Sequence, residues 1–512
     1  MRVRRAAVLG GGPGGLYVAR LLKLAQPWCD VVVHEQGEPD KTFGFGVGLA
    51  AGTQRKLEAA DADTLRDLVA AGHRHDMTMV VDGRTARVHN DRLIGIARTE
   101  LLAVLQRHAE KAGVRIEYGT RRSAGEFDAD IVIAADGVSS ATRSAGEFGE
   151  TTELGRGLFL WCGAEFALPD ALFVPVRTEH GVFVTHAYPY SGGRSTFLIE
   201  TDEQTWRSAG FDRSPEPAQP EDSDETSLRY LEEVFASELR GHALIGNRTR
   251  WTRFRTVRCA RWSHGRTVLL GDAAHTAHFS IGSGTKLAME DAIGLVEALA
   301  EEPDVEAAFA RYETTRRPSV ERMQELARRS RLWWESFPSR LDIPVERLMV
   351  AYMTRAGNVP LDRFAATSPD VVATALEQYA GAAPPAADLV DWVLEQPLRH
   401  GKTEFPHRIL RHVPDGLALT TFAENLADPW DEAGDDLIAR AREARRDGAD
   451  GFRFTGLTDR PALLTRLDLA ERVRSEVGGL IVVNGPASLR ADLAAGLVSG
   501  RCDLVSLTEE DV

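Results

Sequence analysis

The chain has 512 residues, of which 43% are apolar and 27% charged, and its 61 basic and 76 acidic residues give a net charge of −15. This length exceeds what one hydrophobic core supports and predicts about three domain-sized units of globular protein. The acidic balance argues against general binding to nucleic acids or to anionic membranes.

The cysteines and the N-terminal segment both indicate a reduced, cytoplasmic protein. Cys29, Cys162, Cys259 and Cys502 are far apart and form no disulfide, redox or metal-binding spacing, so we expect no metal site. The opening "MRVRRAAVLGGGPGG" mimics a secretory signal, but its apolar run is short and ends in glycines. No stretch approaches the ~18–20 apolar residues of a membrane span.

The first motif is a glycine triplet between a predicted strand and a predicted helix. Gly10, Gly12 and Gly15 satisfy G-x-G-x-x-G, and a second strand, "DVVVHE", ends in Glu35. Glycines at these positions let the backbone approach a pyrophosphate, and the acid accepts hydrogen bonds from a ribose. The pattern therefore predicts a dinucleotide site, the plainer alternative being a tight turn that binds nothing.

Further glycine-containing loops follow the next predicted strands. The run "TFGFGVGLA", residues 42–50, is too glycine-rich for a strand core and predicts backbone lying against a flat ligand. Arg98 stands just before a predicted helix. A buried strand then delivers Asp136 and Gly137 at its carboxyl end, which is where open α/β sheets bind ligands.

A β-rich segment between residues 153 and 257 interrupts the α/β pattern and predicts a sheet that covers one face of the ligand. The buried-strand pattern resumes in "RTVLLGDAAH" and leads to a glycine-rich helix start at Gly282-Ser283-Gly284. Bare amide N–H groups at the positive end of a helix dipole predict an anion-binding site. Helical periodicity then dominates to about residue 379.

The last hundred residues alternate four short apolar runs, "LALTTF", "GFRFTG", "LIVVNG" and "CDLVSL", with three helical segments. This order predicts parallel strands joined by right-handed crossovers. A complete eight-stranded barrel would need roughly 250 residues, so only about half a barrel is expected.

The glycine triplet with its acid, Asp136-Gly137 and the Gly271-Asp272 run together resemble the class A flavoprotein monooxygenases. The runs "DKTFGFGVGL", "HAYPYSGGRSTFLIETDEQTWRSAGFD" and "HFSIGSGTKLAMEDAI" are similar to the salicylyl-CoA and anthraniloyl-CoA hydroxylase branch, over roughly residues 1–380. The resemblance implies that Asp272 holds the ribityl chain of FAD. It also implies that the helix near Gly282 aims its N–H groups at the flavin N1–C2=O edge and stabilises the anionic reduced flavin.

The resemblance gives a set of expected site residues. The expected FAD-binding residues are Gly10, Gly12, Pro13, Gly14, Gly15, Glu35, Gly46, Val47, Arg98, Asp136, Gly137, Gly271, Asp272, Gly282, Gly284, Thr285 and Lys286. The expected substrate-pocket residues are Phe45, Tyr188 and Phe279, and the expected catalytic residues are His275 and His278. Histidines held by the loop backbone are the plainer alternative for the last two.

Three positions depart from the family pattern. His278 and Phe279 stand where the family usually has prolines, and Lys286 stands where it usually has an asparagine. Lys286 either adds a cation near the flavin or points to solvent, and both interpretations stay open. Arginines 311, 316, 317, 322, 328, 329 and 331 likewise form either a patch for CoA phosphates or a solvated helix face.

The implied activity is that of an FAD-dependent monooxygenase with NADPH or NADH as a transient reductant. Oxygen adds to flavin C4a, and the hydroperoxide hydroxylates or epoxidises the ring of an aromatic or related acyl-CoA thioester. The alternative is a dioxygenase-type oxidation of a non-benzenoid, tropone-type acyl-CoA ring. A carrier protein in place of CoA, and a homodimer, stay open.

Two other functional classes predict features that the sequence lacks. A flavin halogenase predicts a Trp-x-Trp-x-Ile-Pro run, which does not occur. A non-enzymatic escort protein with a dinucleotide-binding fold predicts the glycine triplet without the glycine-rich helix start at Gly282-Ser283-Gly284.

The fold class that follows is α/β: a Rossmann-like FAD-binding domain with an inserted mainly-β substrate domain, and a C-terminal partial (β/α) barrel-like domain. The expected limits are residues 1–152 and 258–320 for the FAD-binding domain, 153–257 for the substrate domain, 321–400 for a helical connection and 401–512 for the half-barrel. This last segment resembles the later strands of the old-yellow-enzyme barrel. Its FMN phosphate loop would fall near Asn484-Gly485 and after Leu507, where "TEEDV" is acidic, so we expect a structural role and no FMN.

Overall fold

The computed structural model describes residues 1–38, 44–90, 93–213, 219 and 222–508. Up to residue 201 its elements are β1 (Arg5–Leu9), α1 (Pro13–Ala25), β2 (Asp30–His34), β3 (Gly46–Leu49), α2 (Ala51–Ala71), β4 (His73–Arg74), β5 (Met77–Val81), β6 (Arg84–Val88), β7 (Ile94–Ala97), α3 (Arg98–Lys111), β8 (Arg115–Glu117), β9 (Ile131–Ala134), α4 (Ala141–Ala145), β10 (Glu150–Ala164), β11 (Ala171–Thr178), β12 (Gly181–Ser191) and β13 (Arg194–Thr201).

The remaining elements are α5 (Glu203–Ser208), α6 (Glu225–Val234), α7 (Ala236–Leu239), β14 (Leu244–Ile245), β15 (Thr252–Cys259), β16 (Ser263–His264), β17 (Thr267–Leu269), α8 (Gly284–Glu301), α9 (Val305–Glu335), α10 (Val345–Thr354), α11 (Leu361–Thr367), α12 (Pro369–Ala380), α13 (Leu389–Glu395), β18 (Leu398–His400), β19 (Thr403–Phe405), β20 (Leu419–Ala423), α14 (Glu432–Arg446), β21 (Gly451–Thr455), α15 (Arg460–Glu476), β22 (Leu480–Pro486), α16 (Arg490–Val498) and β23 (Leu504–Thr508).

The chain divides into two compact units. The first contains residues 1–78 and 90–331, and the second contains residues 79–89 and 332–512. In the second unit, β6 packs against α10 and α12. The second unit thus takes a short piece of chain from the N-terminal half, which sequence periodicity did not indicate.

A six-stranded sheet in the order β16-β17-β9-β1-β2-β8 forms the centre of the first unit. All neighbours are parallel except the β16–β17 pair. Strand β9 is buried along its whole length, as expected for a parallel strand covered on both faces. Helices α1, α3 and α8 pack with this sheet in one core. Because β1, β9 and β17 are neighbours, the loops that follow them all meet at the carboxyl edge of the sheet.

An antiparallel sheet forms the second layer of the same unit. Its strands β14, β10, β13, β12 and β11 lie in this order, and β15 also pairs with β10. Alternate residues Leu160 and Cys162 of β10, with Phe197 and Ile199 of β13, face a core that α6 and the segment after α5 complete. The residues between them point to the opposite face, since side chains alternate along a strand.

The second unit combines helices α10 to α13 with a four-stranded parallel sheet in the order β20-β21-β22-β23. Helices α14, α15 and α16 connect successive strands, as the alternation of apolar and helical runs predicts. Buried Arg340, before α10, pairs with Glu471 of α15 at 2.6 Å. Mixed α/β architecture is thus confirmed, whereas the likeness to half of an old-yellow-enzyme barrel stays a prediction.

Of the two segments expected near an FMN phosphate, the structure describes the one at Asn484-Gly485. Asn484 donates from its amide to the Ser506 carbonyl at 3.2 Å and is buried within the β22–β23 pair. The acidic end of "TEEDV", residues 509–512, lies outside the described residues. Within the described ranges, no helix has the length and apolarity needed to cross a membrane. All four cysteines are unpaired and buried.

Candidate functional site

The glycine triplet forms a close-packed turn with one open side. Gly10 has φ +100°, and a Cβ there would lie 2.3 Å from the Ala135 carbonyl oxygen. A Cβ at Gly15 would lie 2.0 Å from the Gly10 carbonyl oxygen, whereas at Gly12 it would meet nothing within 4 Å. Gly10 and Gly15 therefore allow the turn itself, and Gly12 leaves space for a ligand. Helix α1 begins here with Pro13 in its first turn and no side-chain cap, so its amide groups face that space.

Glu35 lies beside this turn at the end of β2. Its carboxylate accepts hydrogen bonds from the Gly11 and Gly37 amides, each at 2.6 Å. Each carboxylate oxygen can accept a second bond, so Glu35 could still receive a ribose hydroxyl. The contact with Gly11 also holds the acid next to the glycine turn.

Asp136 and Asp272 end two neighbouring strands and are joined through Arg143, which the sequence analysis did not single out. Arg143 is buried and donates to the carbonyls of Ala273 at 3.0 Å and Val138 at 2.7 Å. Asp136 accepts from the Thr142 amide with one oxygen, and its other oxygen, Oδ1, is buried and has no partner among the residues that the structure describes. A buried carboxylate oxygen without a donor fits a site that a ligand completes.

Asp272 faces an open cleft together with Arg98. The Asp272 carboxylate is exposed to solvent from the cleft, yet protein surrounds it on most sides, and this burial raises its pKa, while His275 and Arg98 oppose the rise. Burial likewise lowers the pKa of Arg98, against the attraction of Asp272. The Nε atom of Arg98 is buried and has no hydrogen-bond partner in the described part of the chain. These two groups present an acceptor and a donor to one cleft.

Helix α8 begins at Gly284 without a side-chain cap and without an acidic residue in its first turn. A Cβ added at Gly282 or Gly284 would meet nothing within 4 Å, so there is open space beside this turn. The Gly282 amide donates to the Phe279 carbonyl at 2.8 Å, so the uncapped amides of the turn are those from Ser283 onward. Thr285 and Lys286 follow, both half-buried. Burial lowers the pKa of Lys286, and Glu290 one turn along opposes that effect.

At Gly14 and Gly271 the lack of a side chain allows close packing of neighbouring elements, and does not leave open space for a ligand. A Cβ at Gly14 would lie 2.6 Å from Cδ2 of Leu270, and one at Gly271 would lie 2.8 Å from Cβ of Ala288. Both glycines thus let α8 approach α1 and the loop after β17. Gly137, in contrast, has φ +80° and open space around a Cβ.

His275 lies in a buried network beneath the start of α8. Its Nε2 is 2.8 Å from Oδ2 of Asp291, and Arg316 donates from Nε to the other oxygen at 2.9 Å. The His275 and Asp291 side chains are 2% and 0% exposed. The Gly271 amide also donates to Asp291, at 3.3 Å. This network ties the Gly271–Asp272 loop to α8, which places His275 behind the cleft wall rather than in the cleft.

Gly46 joins the loop after β2 to the antiparallel sheet. Tyr188 of β12 donates its hydroxyl to the Gly46 carbonyl at 2.8 Å, and the Gly46 amide donates to Thr196 at 2.9 Å. Burial raises the pKa of Tyr188 to about 12, so the phenol stays protonated and able to donate. Val47 pairs with Ile96 in the small β3–β7–β4 sheet. Phe45 is buried against Ala97 and Tyr190.

Phe279, just before α8, belongs to an aromatic cluster. Its ring centre lies 4.8 Å from that of Phe159 on β10 and 5.8 Å from that of Phe254 on β15. The ring of His278 lies beside that of Phe279, tilted by 32° with ring centres 4.1 Å apart, and is 2.9 Å from the Ser280 hydroxyl. Phe159 and Phe254, which periodicity alone assigned only to strands, thus line the same place as the predicted Phe279.

Six of the seven arginines named above on α9 form ion pairs within the first unit, and the seventh, Arg322, is exposed. The pairs formed are Arg311 with Glu301 and Glu302, Arg316 with Glu290 and Asp291, Arg317 with Glu313, Arg328 and Arg329 with Glu325, and Arg331 with Glu153. This arrangement supports the interpretation in which these arginines stabilise the helix and its neighbours rather than bind CoA phosphates.

Comparison with known proteins agrees with this geometry. Residues 4–327 match the family described as the FAD binding domain. The chain is 44% identical over 340 residues to salicyloyl-CoA 5-hydroxylase of Streptomyces sp, covering 65% of this chain and 66% of that one. It is 40% identical over 360 residues to 3-hydroxy-4-methyl-anthranilyl-[aryl-carrier protein] 5-monooxygenase of Streptosporangium sibiricum, covering 69% of this chain and 95% of that one.

A crystal structure of 2-methyl-3-hydroxypyridine-5-carboxylic acid oxygenase shares the fold. It superposes with a TM-score of 0.53 at 22% identity and covers 64% of this chain and 90% of that one. The family match spans most of the first unit, including the three loops at the carboxyl edge of the parallel sheet. The chain belongs to the FAD-binding monooxygenase family and is an FAD-dependent oxidoreductase.

Proposed function

We propose that this enzyme consumes NADPH or NADH and molecular oxygen to hydroxylate or epoxidise the ring of an aromatic acyl thioester. The observation that carries the proposal is the half-buried aromatic wall of Phe159, Phe254 and Phe279, which adjoins the uncapped start of α8. A flat apolar ring fits such a wall. The two relatives described above support the thioester, since their names specify CoA and carrier-protein substrates.

In this proposal the residues at the carboxyl edge of the parallel sheet hold FAD. Gly12 and the start of α1 take the pyrophosphate, Glu35 the ribose, and Asp272 with Arg98 the ribityl and phosphate region. The amides from Ser283 to Lys286 meet the flavin edge, where negative charge develops on reduction. Two observations support this fit. Nε of Arg98 and Oδ1 of Asp136 are buried and have no hydrogen-bond partner among the described residues, and a Cβ at Gly12 would meet only open space.

FAD, when bound and reduced, supplies the chemistry that activates oxygen and transfers one oxygen atom to the ring. The chain's own residues position the ring and exclude water. The antiparallel sheet provides the opposite wall, and Tyr188 and Thr196 fix the Gly46 loop between that wall and the cofactor cleft. His278, within the aromatic cluster, is close enough to the wall to orient a substrate.

The test is NADPH or NADH oxidation by the purified yellow protein across matched aryl-CoA thioesters and free acids. Oxygen uptake and the product mass are followed in parallel. We expect thioesters to accelerate flavin reduction and to gain one oxygen atom, and the free acids to have little effect. Acceleration by the free acids but not by the thioesters would overturn the proposal, and a gain of two oxygen atoms would favour a dioxygenase outcome.

A further inference from the structure

Two neighbouring rows of side chains cross the face of the antiparallel sheet that is opposite its own helix-covered core. The first row is Trp161, Leu198, His186 and Phe173, and the second is Phe159, Glu200, Val184 and Pro175. Cross-strand partners point to the same side of a sheet, so all eight side chains share one face. Of these eight residues, all described by the structure, His186 and Glu200 are the ionisable ones.

This face is the one that meets the cofactor cleft. Phe159 in the second row contacts Phe279, next to the start of α8, with ring centres 4.8 Å apart. Tyr188, two residues beyond His186 on β12, is hydrogen-bonded to Gly46 at 2.8 Å. The two rows are therefore bounded by the loop before α8 and by the Gly46 loop, both of which belong to the proposed FAD site.

His186 and Glu200 form a pair within that apolar surface. Nε2 of His186 lies 3.5 Å from Oε1 of Glu200, and the two side chains are 18% and 13% exposed. The ring of Phe173 packs edge-on against the imidazole, with ring centres 5.5 Å apart. A half-buried pair of an imidazole and a carboxylate adds little net stability over apolar residues of the same size, because desolvation offsets its attraction. Packing alone therefore does not account for the pair.

We propose that His186, oriented by Glu200, binds a hydrogen-bond-donating ring substituent of the substrate, a hydroxyl or an amino group. The inference rests on the proposed function, because it places the aromatic ring against this sheet face. In a mostly apolar pocket a few polar groups set orientation and specificity. A neutral imidazole that turns one ring N–H toward a carboxylate has its other ring nitrogen as an acceptor for an O–H or N–H donor. His186 contacts the substrate, and Glu200 is a positioning residue.

The specificity that follows can be measured by binding alone. Salicyloyl-CoA, 2-aminobenzoyl-CoA and benzoyl-CoA are titrated into the oxidised holoenzyme, and Kd is read from the change in the flavin absorbance spectrum. We expect the first two to bind about 10- to 100-fold more tightly than benzoyl-CoA, the range for a buried acceptor that gains or lacks its hydrogen-bond donor. His186→Leu should reduce this ratio to about one without changing the Kd of benzoyl-CoA, and His186→Gln should restore part of it.

Controls separate binding from folding. His180→Leu, in the turn before β12 and outside both rows, should keep the wild-type ratio, and every variant should retain its FAD content and thermal midpoint. Glu200→Gln should lower the ratio less than His186→Leu does, whereas a purely structural role would weaken all three thioesters equally. An unchanged ratio in His186→Leu, or a wild type that does not discriminate, would overturn this inference alone. A wild type that binds no thioester would overturn the proposed function as well.

Discussion

His275 and Asp291 lie 2.8 Å apart beneath the start of α8, and neither side chain is more than 2% exposed. Asp291 also accepts from Arg316 at 2.9 Å and from the Gly271 amide at 3.3 Å. One carboxylate thus joins α8, α9 and the loop that carries Asp272. The geometry of the loop that carries Asp272 therefore depends on an ionised acid that is itself fully buried.

Asp291→Asn should therefore destabilise the first unit strongly. It leaves buried His275 without its ionised partner and Arg316 with only Glu290, at 3.5 Å, and removing one member of a buried pair costs about 3–5 kcal/mol. Urea unfolding followed by fluorescence measures the change. Asp63→Asn is the matched control, since Asp63 pairs with Arg66 at the surface with side chains 59% and 69% exposed, and it should cost less than about 1 kcal/mol. Equal effects of the two variants would contradict the prediction.

The lowered pKa of Asp291 predicts that part of the free energy of unfolding is lost in acid. Burial opposes ionisation of Asp291, but His275 and Arg316 outweigh it and hold its pKa below the ordinary range. A carboxyl whose folded pKa is depressed stabilises the fold above its unfolded pKa of about 3.9 and loses that contribution as pH falls through the folded pKa. Urea midpoints should therefore fall more steeply below pH ~4 in the wild type than in Asp291→Asn. Parallel curves for the two proteins would argue against this linkage.

Gly12→Val should abolish FAD binding while leaving the apoprotein folded. The new side chain would meet no protein atom within 4 Å of its Cβ but would occupy the space proposed for the pyrophosphate. The flavin absorbance of the purified protein and a thermal melt of the apoprotein check the two halves of the prediction. Gly125→Val, at an exposed position with equal open space, should keep both the flavin and the fold. Normal yellow colour in Gly12→Val would refute the pyrophosphate placement.

Asp272→Ala and Arg98→Met should each weaken FAD binding without unfolding the protein. Both groups face the cleft, and Arg98 has a buried Nε with no partner among the described residues. Loss of one charge-assisted hydrogen bond costs about 1.5–3 kcal/mol, or roughly 10- to 150-fold in Kd for FAD. Reconstitution of apoprotein with FAD, followed by fluorescence quenching, measures it. Arg107→Met on the exposed side of the same helix is the control and should bind FAD normally.

Flavin released by denaturation should be FAD alone. The C-terminal parallel sheet offers Asn484 at one of the two positions where an FMN phosphate would bind, and this side chain is already bonded to Ser506 across β22 and β23. Chromatography of the released flavin against protein concentration measures the ratio. Stoichiometric FMN beside FAD would overturn the prediction and add a second redox centre to the enzyme.

Local sequence patterns were sufficient to predict those features in which a residue contributes its own backbone conformation or amide group. The glycine triplet, the Asp136-Gly137 pair and the bare start of α8 could be read directly, because a tight turn or an uncapped helix depends on a few adjacent residues. The alternation of strands and helices after residue 416 predicted a parallel sheet for the same reason, and that sheet is present.

Sequence alone therefore determined the family, the cofactor class and the order of the ligand-facing loops, since these depend on short motifs with fixed spacing. Tertiary structure decided which side chains meet across long separations in the chain. Arg143 joins the Asp136 and Asp272 loops, Asp291 holds His275, and His186 meets Glu200 on the face of an inserted sheet. No local periodicity encodes these pairs, because strand register and helix packing bring their members together only when the whole core forms.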